Sequence, residues 1–141
     1  MIWVRLHLLI SFTLICSCCS TKIEKEIDYR LLAKYIEEVY VKPSHERTTE
    51  LQSQRYPKHK KPRPDSAQGM TALEKQSQVE KLWLMYHKCV VLLGQSRENN
   101  DIENIDKSEK LISKIKNVYI DLTGIEFPNV EEEFRLKYES Q

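Results

Sequence analysis

The strongest constraint on the fold is an apolar run in the middle of the chain, LWLMYHKCVVLL at residues 82–93. It extends a stripe with helical spacing: Leu73, Val79, Leu82, Trp83, Tyr86, Val90 and Leu93. A helix that is apolar on several sides has to be buried by other elements. The pattern therefore predicts a central helix that begins near Thr71, in a Thr-x-x-Glu capping box, and ends at Gly94.

A second amphipathic helix is predicted at about residues 102–122, after a short polar turn. Asp101 is suited to cap its start, and Gly124 to close its end. Its apolar stripe is Ile105, Ile112, Ile115, Tyr119 and Leu122, broadened by Leu111 and Val118. Because the connection is short, the two helices should form an antiparallel hairpin. A short last helix, from Val130 to about Tyr138, follows Asn129 as its cap.

The N-terminal part of the body reads as a separate amphipathic helix, at residues 21–42. Thr21 and Glu24 form a capping box, and Ile23, Ile27, Leu31 and Tyr35 recur every fourth residue. Lys42-Pro43 is expected to end this helix, since a residue before proline avoids the helical region.

Residues 43–68 are polar and contain four prolines, at positions 43, 57, 62 and 64. A segment of this composition cannot bury enough apolar surface to offset its ordering entropy. It is therefore predicted to be a flexible linker, which leaves residues 69–141 as the hairpin with its C-terminal helix. The predicted fold class is all-α, with three to four amphipathic helices, a hairpin core at about 71–123 and a loosely docked N-terminal helix.

The first 20 residues have the features of an export signal. Arg5 precedes an uncharged, mostly apolar run from Leu8 to Cys19, which is shorter than the roughly 20 residues that span a membrane. Small residues follow, with Cys18 and Ser20 suited to positions −3 and −1 of a cleavage near Thr21.

Residues 15–18, Ile-Cys-Ser-Cys, also resemble a bacterial lipobox. That resemblance implies lipidation of Cys18, which would become the mature N-terminus and provide a membrane anchor. A third alternative is that the leader stays uncleaved as an anchor. Each of the three places the body in the cell envelope or outside the cell. The remaining cysteine, Cys89, has apolar neighbours and is expected to be buried and inert.

The sequence offers no pattern typical of catalysis, metal binding or cofactor binding. His87 and Cys89 are two residues apart on a helix and point about 200° apart, so they cannot converge on one ion. The three glycines of the chain are scattered, which excludes a glycine-rich phosphate loop. The formal net charge of +1 gives no general bias towards nucleic acid. No enzyme activity, cofactor or nucleic-acid partner is predicted.

Two surfaces are candidates for binding a partner. The first is the basic stretch of the linker, which suits an anionic partner: Arg55, Lys58, Lys60, Lys61 and Arg63. The second is the apolar face of the N-terminal helix, which would need a partner if that helix stayed undocked: Ile23, Ile27, Leu31 and Tyr35. The sequence thus favours an exported helical protein-interaction module. The alternative is a secreted cytokine-like or peptide-precursor signal, in which the basic stretch is a cleavage or receptor segment.

Overall fold

The computed structural model of this protein describes residues 26–54 and 70–138. The first helix, α1, consists of three successive segments, Tyr29–Ile36, a π-helical turn Glu37–Val41, and Lys42–Gln54. The others are α2 (Ala72–Glu98), α3 (Ile102–Thr123) and α4 (Val130–Tyr138). Within the described ranges every regular element is a helix, and no residue lies in a strand. The predicted all-α class with a hairpin core is confirmed.

Asp28 sets the start of α1. Its carboxylate accepts hydrogen bonds from the amides of Arg30 at 2.9 Å and Leu31 at 3.2 Å. These two donors lie too early in the helix to find a helical carbonyl. The prediction of a helix from about residue 21 is therefore wrong for residues 26–28, which are not helical. The capping box predicted at residues 21–24 lies outside the described residues.

The helix α1 continues through Pro43, where the sequence predicted its end. Just before the proline, the Lys42 amide donates to the carbonyl of Glu37, five residues back, as in a π-helical turn. The wider turn includes Val39, whose carbonyl the proline ring would press against in a regular α-helix. The π-helical turn therefore accommodates Pro43 without ending the helix.

Residues 43–54 were predicted to be linker, and this is wrong because they form the last part of α1. Ser44 and Thr48 are buried, and the side-chain amide of Gln76 donates to the carbonyl and to the hydroxyl of Ser44, both at 3.1 Å. His45, expected on a mobile loop, lies on this helix with its Nδ1 2.7 Å from Glu80 Oε1. Contacts with α2 supply the stabilisation that the polar composition lacks. The rest of the predicted linker lies beyond the described ranges.

The capping box at the start of α2 is confirmed. The Thr71 hydroxyl accepts from the Glu74 amide at 3.2 Å, and the Glu74 carboxylate accepts from the Thr71 amide at 2.8 Å. The predicted end at Gly94 is wrong, because α2 runs on to Glu98. A Cβ atom on Gly94 would lie 2.6 Å from the Cβ of Tyr29, so this glycine permits a close approach of α1.

The predicted caps of the last two helices are also confirmed. Asp101 accepts from the Asn104 amide at 3.1 Å at the start of α3. Gly124, with φ of 70°, ends that helix in the left-handed conformation. Asn129 accepts from the Glu132 amide at 3.4 Å at the start of α4.

The core joins all four of the described helices and includes Ile115 of α3. Leu32 and Ile36 of α1 are 1% and 0% exposed, and they are buried together with Tyr86 of α2 and Val130 of α4. Full burial of each large apolar side chain contributes about 1.5–3 kcal/mol. The helix α1 is thus an integral part of the core and is docked more firmly than predicted.

Trp83 stands at the centre of an aromatic cluster that ties the elements together. Tyr40 of α1 stacks on it with ring centroids 4.2 Å apart, and Phe127, in the segment before α4, lies at 4.8 Å. Tyr119 of α3 and Tyr86 of α2 approach edge-on at 5.7 and 5.8 Å. One side of the hairpin is therefore covered by α1 and by the chain around Phe127.

Candidate protein-interaction surface

Several residues predicted to bind partners lie outside the described residues. These are the lipidation candidate Cys18, the helix residue Ile23, and the whole basic stretch: Arg55, Lys58, Lys60, Lys61 and Arg63. Their predicted roles stay predictions.

The predicted partner-binding face of α1 does not form one exposed surface. Tyr35 is 6% exposed and belongs to the core, and Ile27 packs against the core as a partly buried residue. Leu31 is 46% exposed on another side of the helix. The sequence predicts that Leu32 and Ile36 widen this stripe, and these two residues are the most deeply buried of α1. Three described members of the predicted face are thus split between the core and the surface.

The hairpin exposes apolar side chains on the side away from α1. On α2, Met85 and Leu92 are 44% and 54% exposed. Met85 follows Trp83 by two residues and Leu92 precedes Gly94 by two, so each points about 200° away from a residue that faces α1. Because they are seven residues apart, Met85 and Leu92 share one side of α2.

On α3, Leu111 and Val118 are 40% and 42% exposed and are also seven residues apart. Val118 follows Lys116 by two residues, and the Lys116 ammonium lies over the Phe127 ring at 5.7 Å, on the covered side. Val118 and Leu111 therefore point to the uncovered side of the hairpin. The prediction that both residues broaden the core stripe of α3 is wrong.

The hairpin register brings these two pairs together. The rings of Trp83 and Tyr119 are 5.7 Å apart near one end, and Arg97 Nη2 lies 3.0 Å from Glu109 Oε1 near the other. Counting along the antiparallel helices from Trp83 and Tyr119 places Met85 level with Asn117, which precedes Val118, and Leu92 level with Lys110, which precedes Leu111. We call the surface formed by Met85, Leu92, Leu111 and Val118 the outer face. Within the described ranges, α3 packs against no helix except α2, so no described helix covers this surface.

Three lysines border the outer face. Lys81, Lys88 and Lys114 are exposed, and each stands four residues before an apolar member of that face, Met85, Leu92 or Val118. On a helix, residues four apart are neighbours. No acid stands three or four residues from any of the three lysines, and no ion pair of the described chain includes them. We call Lys81, Lys88 and Lys114 the lysine border.

On the covered side, Glu133 of α4 joins two tyrosines of α1. The hydroxyl of Tyr35 donates to Glu133 Oε2 at 3.3 Å, and the hydroxyl of Tyr40 donates to the same oxygen. Burial and the neighbouring carboxylate raise the pKa of both tyrosines above its ordinary value. Phenols with raised pKa values remain neutral donors, so this cluster holds α4 against α1.

Two hollows flank Tyr29 between α1 and α2, with volumes of about 480 and 440 Å³. Arg30 Nη2 lies 3.1 Å from Glu98 Oε2 at their rim. The Arg97 guanidinium lies over the Tyr29 ring at 5.1 Å and binds Glu109. Both arginines are engaged by the protein's own groups rather than presented to an anionic ligand.

Cys89 is 4% exposed, and burial raises the pKa of its thiol. His87, two residues earlier on α2, is half-buried. Over residues 26–54 and 70–138, no group of three His, Cys, Asp or Glu side chains could hold a metal ion. None of the described helices is long and apolar enough to cross a membrane.

The sequence analysis did not identify the outer face, because the helical spacing of the apolar residues on α3 by itself assigns Leu111 and Val118 to the core. One signal was present in the sequence. Lysine precedes an apolar residue by four positions at Lys81, Lys88 and Lys114, without an acid at helical spacing. That repeat marks a solvated apolar strip rather than a buried one.

The chain matches no protein-family model, no curated protein and no solved structure. What the protein binds is therefore inferred from its own residues, and the outer face with its lysine border is the strongest candidate site.

Proposed function

We propose that this protein is an exported, non-enzymatic helical module that binds another protein through its outer face. One observation carries the proposal: four large apolar side chains, each 40–54% exposed, lie together on the side of the hairpin that no described helix covers. Clustered apolar side chains with a charged border are typical of protein interaction sites. Helical faces of this kind receive an amphipathic helix from the partner.

The export part of the proposal is supported by the N-terminal 20 residues alone. Cleavage near Thr21 would release the module, whereas lipidation of Cys18 would hold it at a membrane. In either setting, the basic stretch of the linker would add an electrostatic contact to an anionic surface or an acidic protein.

Site-specific photocrosslinking in the cells that produce the protein tests the binding surface. A photoreactive residue at Leu92 should give one discrete crosslinked protein. The same probe at Glu46, exposed on α1, is the control and should not give that product. The substitution Val118→Ser should weaken the Leu92 crosslink without changing the thermal unfolding of the protein. Equal crosslinking from Leu92 and Glu46 would contradict the proposal.

The intact mass of the natural product tests the location. A mass increase matching diacylglycerol on Cys18 would establish a lipoprotein, and an N-terminus near Thr21 would establish soluble secretion. Fragments that end near Lys61 would instead favour the secreted peptide precursor. Recovery of the unmodified chain of 141 residues from cytosol would exclude export.

A further inference from the structure

We propose that the partner segment that docks on the outer face is an acidic amphipathic helix of another protein. This inference rests on the proposed function and adds the charge of the partner to it. The apolar residues of the outer face supply contact area. The lysine border favours negatively charged residues beside the apolar face of the partner helix.

The charge balance around the outer face is one-sided. The exposed polar or charged residues that stand three or four positions from its four apolar residues are Lys81, Lys88, Gln95, Lys107, Lys114 and Asp121. Among these lysines, Lys107 is already bound to Glu103, with Nζ 2.5 Å from Oε1. Lys88 and Lys114 remain as positive groups with no acid at helical spacing, whereas Lys81 follows Glu80 and interacts with its charge.

Two other lysines on α3 differ from the lysine border because each has an acid at helical spacing. Lys107 and Lys110 each stand four residues after an acid, and both form ion pairs with it, to Glu103 and Asp106. Four residues before Lys81, Lys88 and Lys114 stand Ser77, Leu84 and Lys110, so none of these three lysines has an acid at that position. Acidic residues at the edges of a docked helix would meet these ammonium groups beside a surface that excludes water, which strengthens the pairing.

The same charges argue against the other occupants. A second copy of the chain would bring its own lysine border against this one, and like charges across an interface disfavour association. The basic stretch of this chain, from Arg55 to Arg63, would be repelled for the same reason. An anionic membrane would also pair with the lysines. However, the outer face spans the groove between the antiparallel helices α2 and α3, and such a groove suits a third helix better than a flat surface.

Two synthetic peptides of about 20 residues, long enough to span roughly 30 Å as helices, test the proposal. Both carry leucine at successive helical core positions; one has glutamate and the other lysine at the flanking positions. Binding to the full chain is measured by fluorescence anisotropy. We expect the glutamate peptide to bind at least about tenfold more tightly at low salt, and this preference to shrink as the Debye length falls to about 3 Å near 1 M salt.

Matched variants show whether the preference for the glutamate peptide arises from the lysine border. Lys88→Glu/Lys114→Glu should reverse the peptide preference, whereas Lys34→Glu/Lys42→Glu, with the same change in net charge on exposed sites of α1, should preserve it. Leu92→Ser/Val118→Ser should abolish binding of the glutamate peptide. Circular dichroism melts check that each variant is folded.

Other results would overturn the inference in distinguishable ways. Equal binding of the two peptides, lost in Leu92→Ser/Val118→Ser, removes the charge preference but leaves the proposed function standing. Binding that survives Leu92→Ser/Val118→Ser, or the absence of binding by either peptide, refutes docking of an acidic helix here. Tighter binding to phosphatidylserine vesicles than to the glutamate peptide, lost in Lys88→Glu/Lys114→Glu, would assign the surface to a membrane. The photocrosslinking from Leu92 decides the proposed function separately.

Discussion

At the level of single residues, the approach of Tyr29 to Gly94 fixes how closely α1 and α2 pack. A methyl group on Gly94 would lie 2.6 Å from the Tyr29 Cβ, which forces one helix to move. We expect Gly94→Ala to lower the free energy of unfolding by about 1–3 kcal/mol, although alanine favours a helix more than glycine does. Chemical denaturation measures this change.

The neighbouring position supplies the control for Gly94. Gln95 is exposed on the same turn of α2, so Gln95→Ala should change the free energy of unfolding by no more than about 0.5 kcal/mol. If Gly94→Ala were as stable as Gln95→Ala, the close contact with Tyr29 would not exist in solution.

The pair of tyrosines on Glu133 makes stability depend on alkaline pH. Because burial and the carboxylate raise the pKa of Tyr35 and Tyr40 in the folded state, unfolding releases protons above the ordinary tyrosine pKa of about 10. Their contribution is complete below that pH and is lost as the pH rises through the folded-state values. The free energy of unfolding should therefore fall above about pH 10, which denaturation at a series of pH values measures.

A phenylalanine substitution assigns part of that loss to one residue. Tyr40→Phe should cost about 1–2 kcal/mol near neutral pH, through the lost hydrogen bond to Glu133, and should make the alkaline decline less steep. The unsubstituted protein is the reference for this measurement. A decline of the same steepness in Tyr40→Phe and in the unsubstituted protein would show that Tyr40 does not contribute.

At the level of elements, the exposure pattern of α1 decides whether this helix is part of the core. Ile36 is 0% exposed and Leu31 is 46% exposed on the same helix. We expect Ile36→Ala to lower the free energy of unfolding by about 2–5 kcal/mol, and Leu31→Ala by about 1 kcal/mol or less. Similar, small effects of both substitutions would mean that α1 docks only loosely.

The helix boundaries show which features the sequence could predict. Thr71, Asp101 and Gly124 act on amides or dihedral angles within their own turn, so their roles could be predicted from neighbouring residues. Pro43 and Gly94 depend on a π-helical turn and on the side chain of Tyr29, which sequence spacing does not reveal. For this reason α1 and α2 are both longer than predicted.

The same limit applies to the outer face. A helical stripe identifies which residues share a side of a helix, but not how wide the buried part is. Whether Leu111 and Val118 are covered depends on the angle at which α2 crosses α3 and on the absence of a described helix beyond them. The lysine spacing was the part of the site that the sequence did contain.

At the level of the whole molecule, the burial of Cys89 makes its thiol a reporter of global unfolding. The residue is 4% exposed on the central helix, so a thiol reagent should reach it only when the core opens. In a Cys16→Ser/Cys18→Ser/Cys19→Ser background, the labelling rate should rise with denaturant in parallel with unfolding followed by circular dichroism. A rate that did not respond to low denaturant would indicate a local opening around α2 instead.

The contact between the first and last described helices has a practical consequence. Tyr138, at the end of α4, lies with its ring 6.3 Å from that of Tyr35, on the side of the hairpin opposite the outer face. A biosensor chip or bead coupled through the C-terminus would therefore hold the protein with Met85, Leu92 and the lysines turned towards the solution. Coupling through surface amines would modify those same lysines, so binding of the partner would no longer be detected.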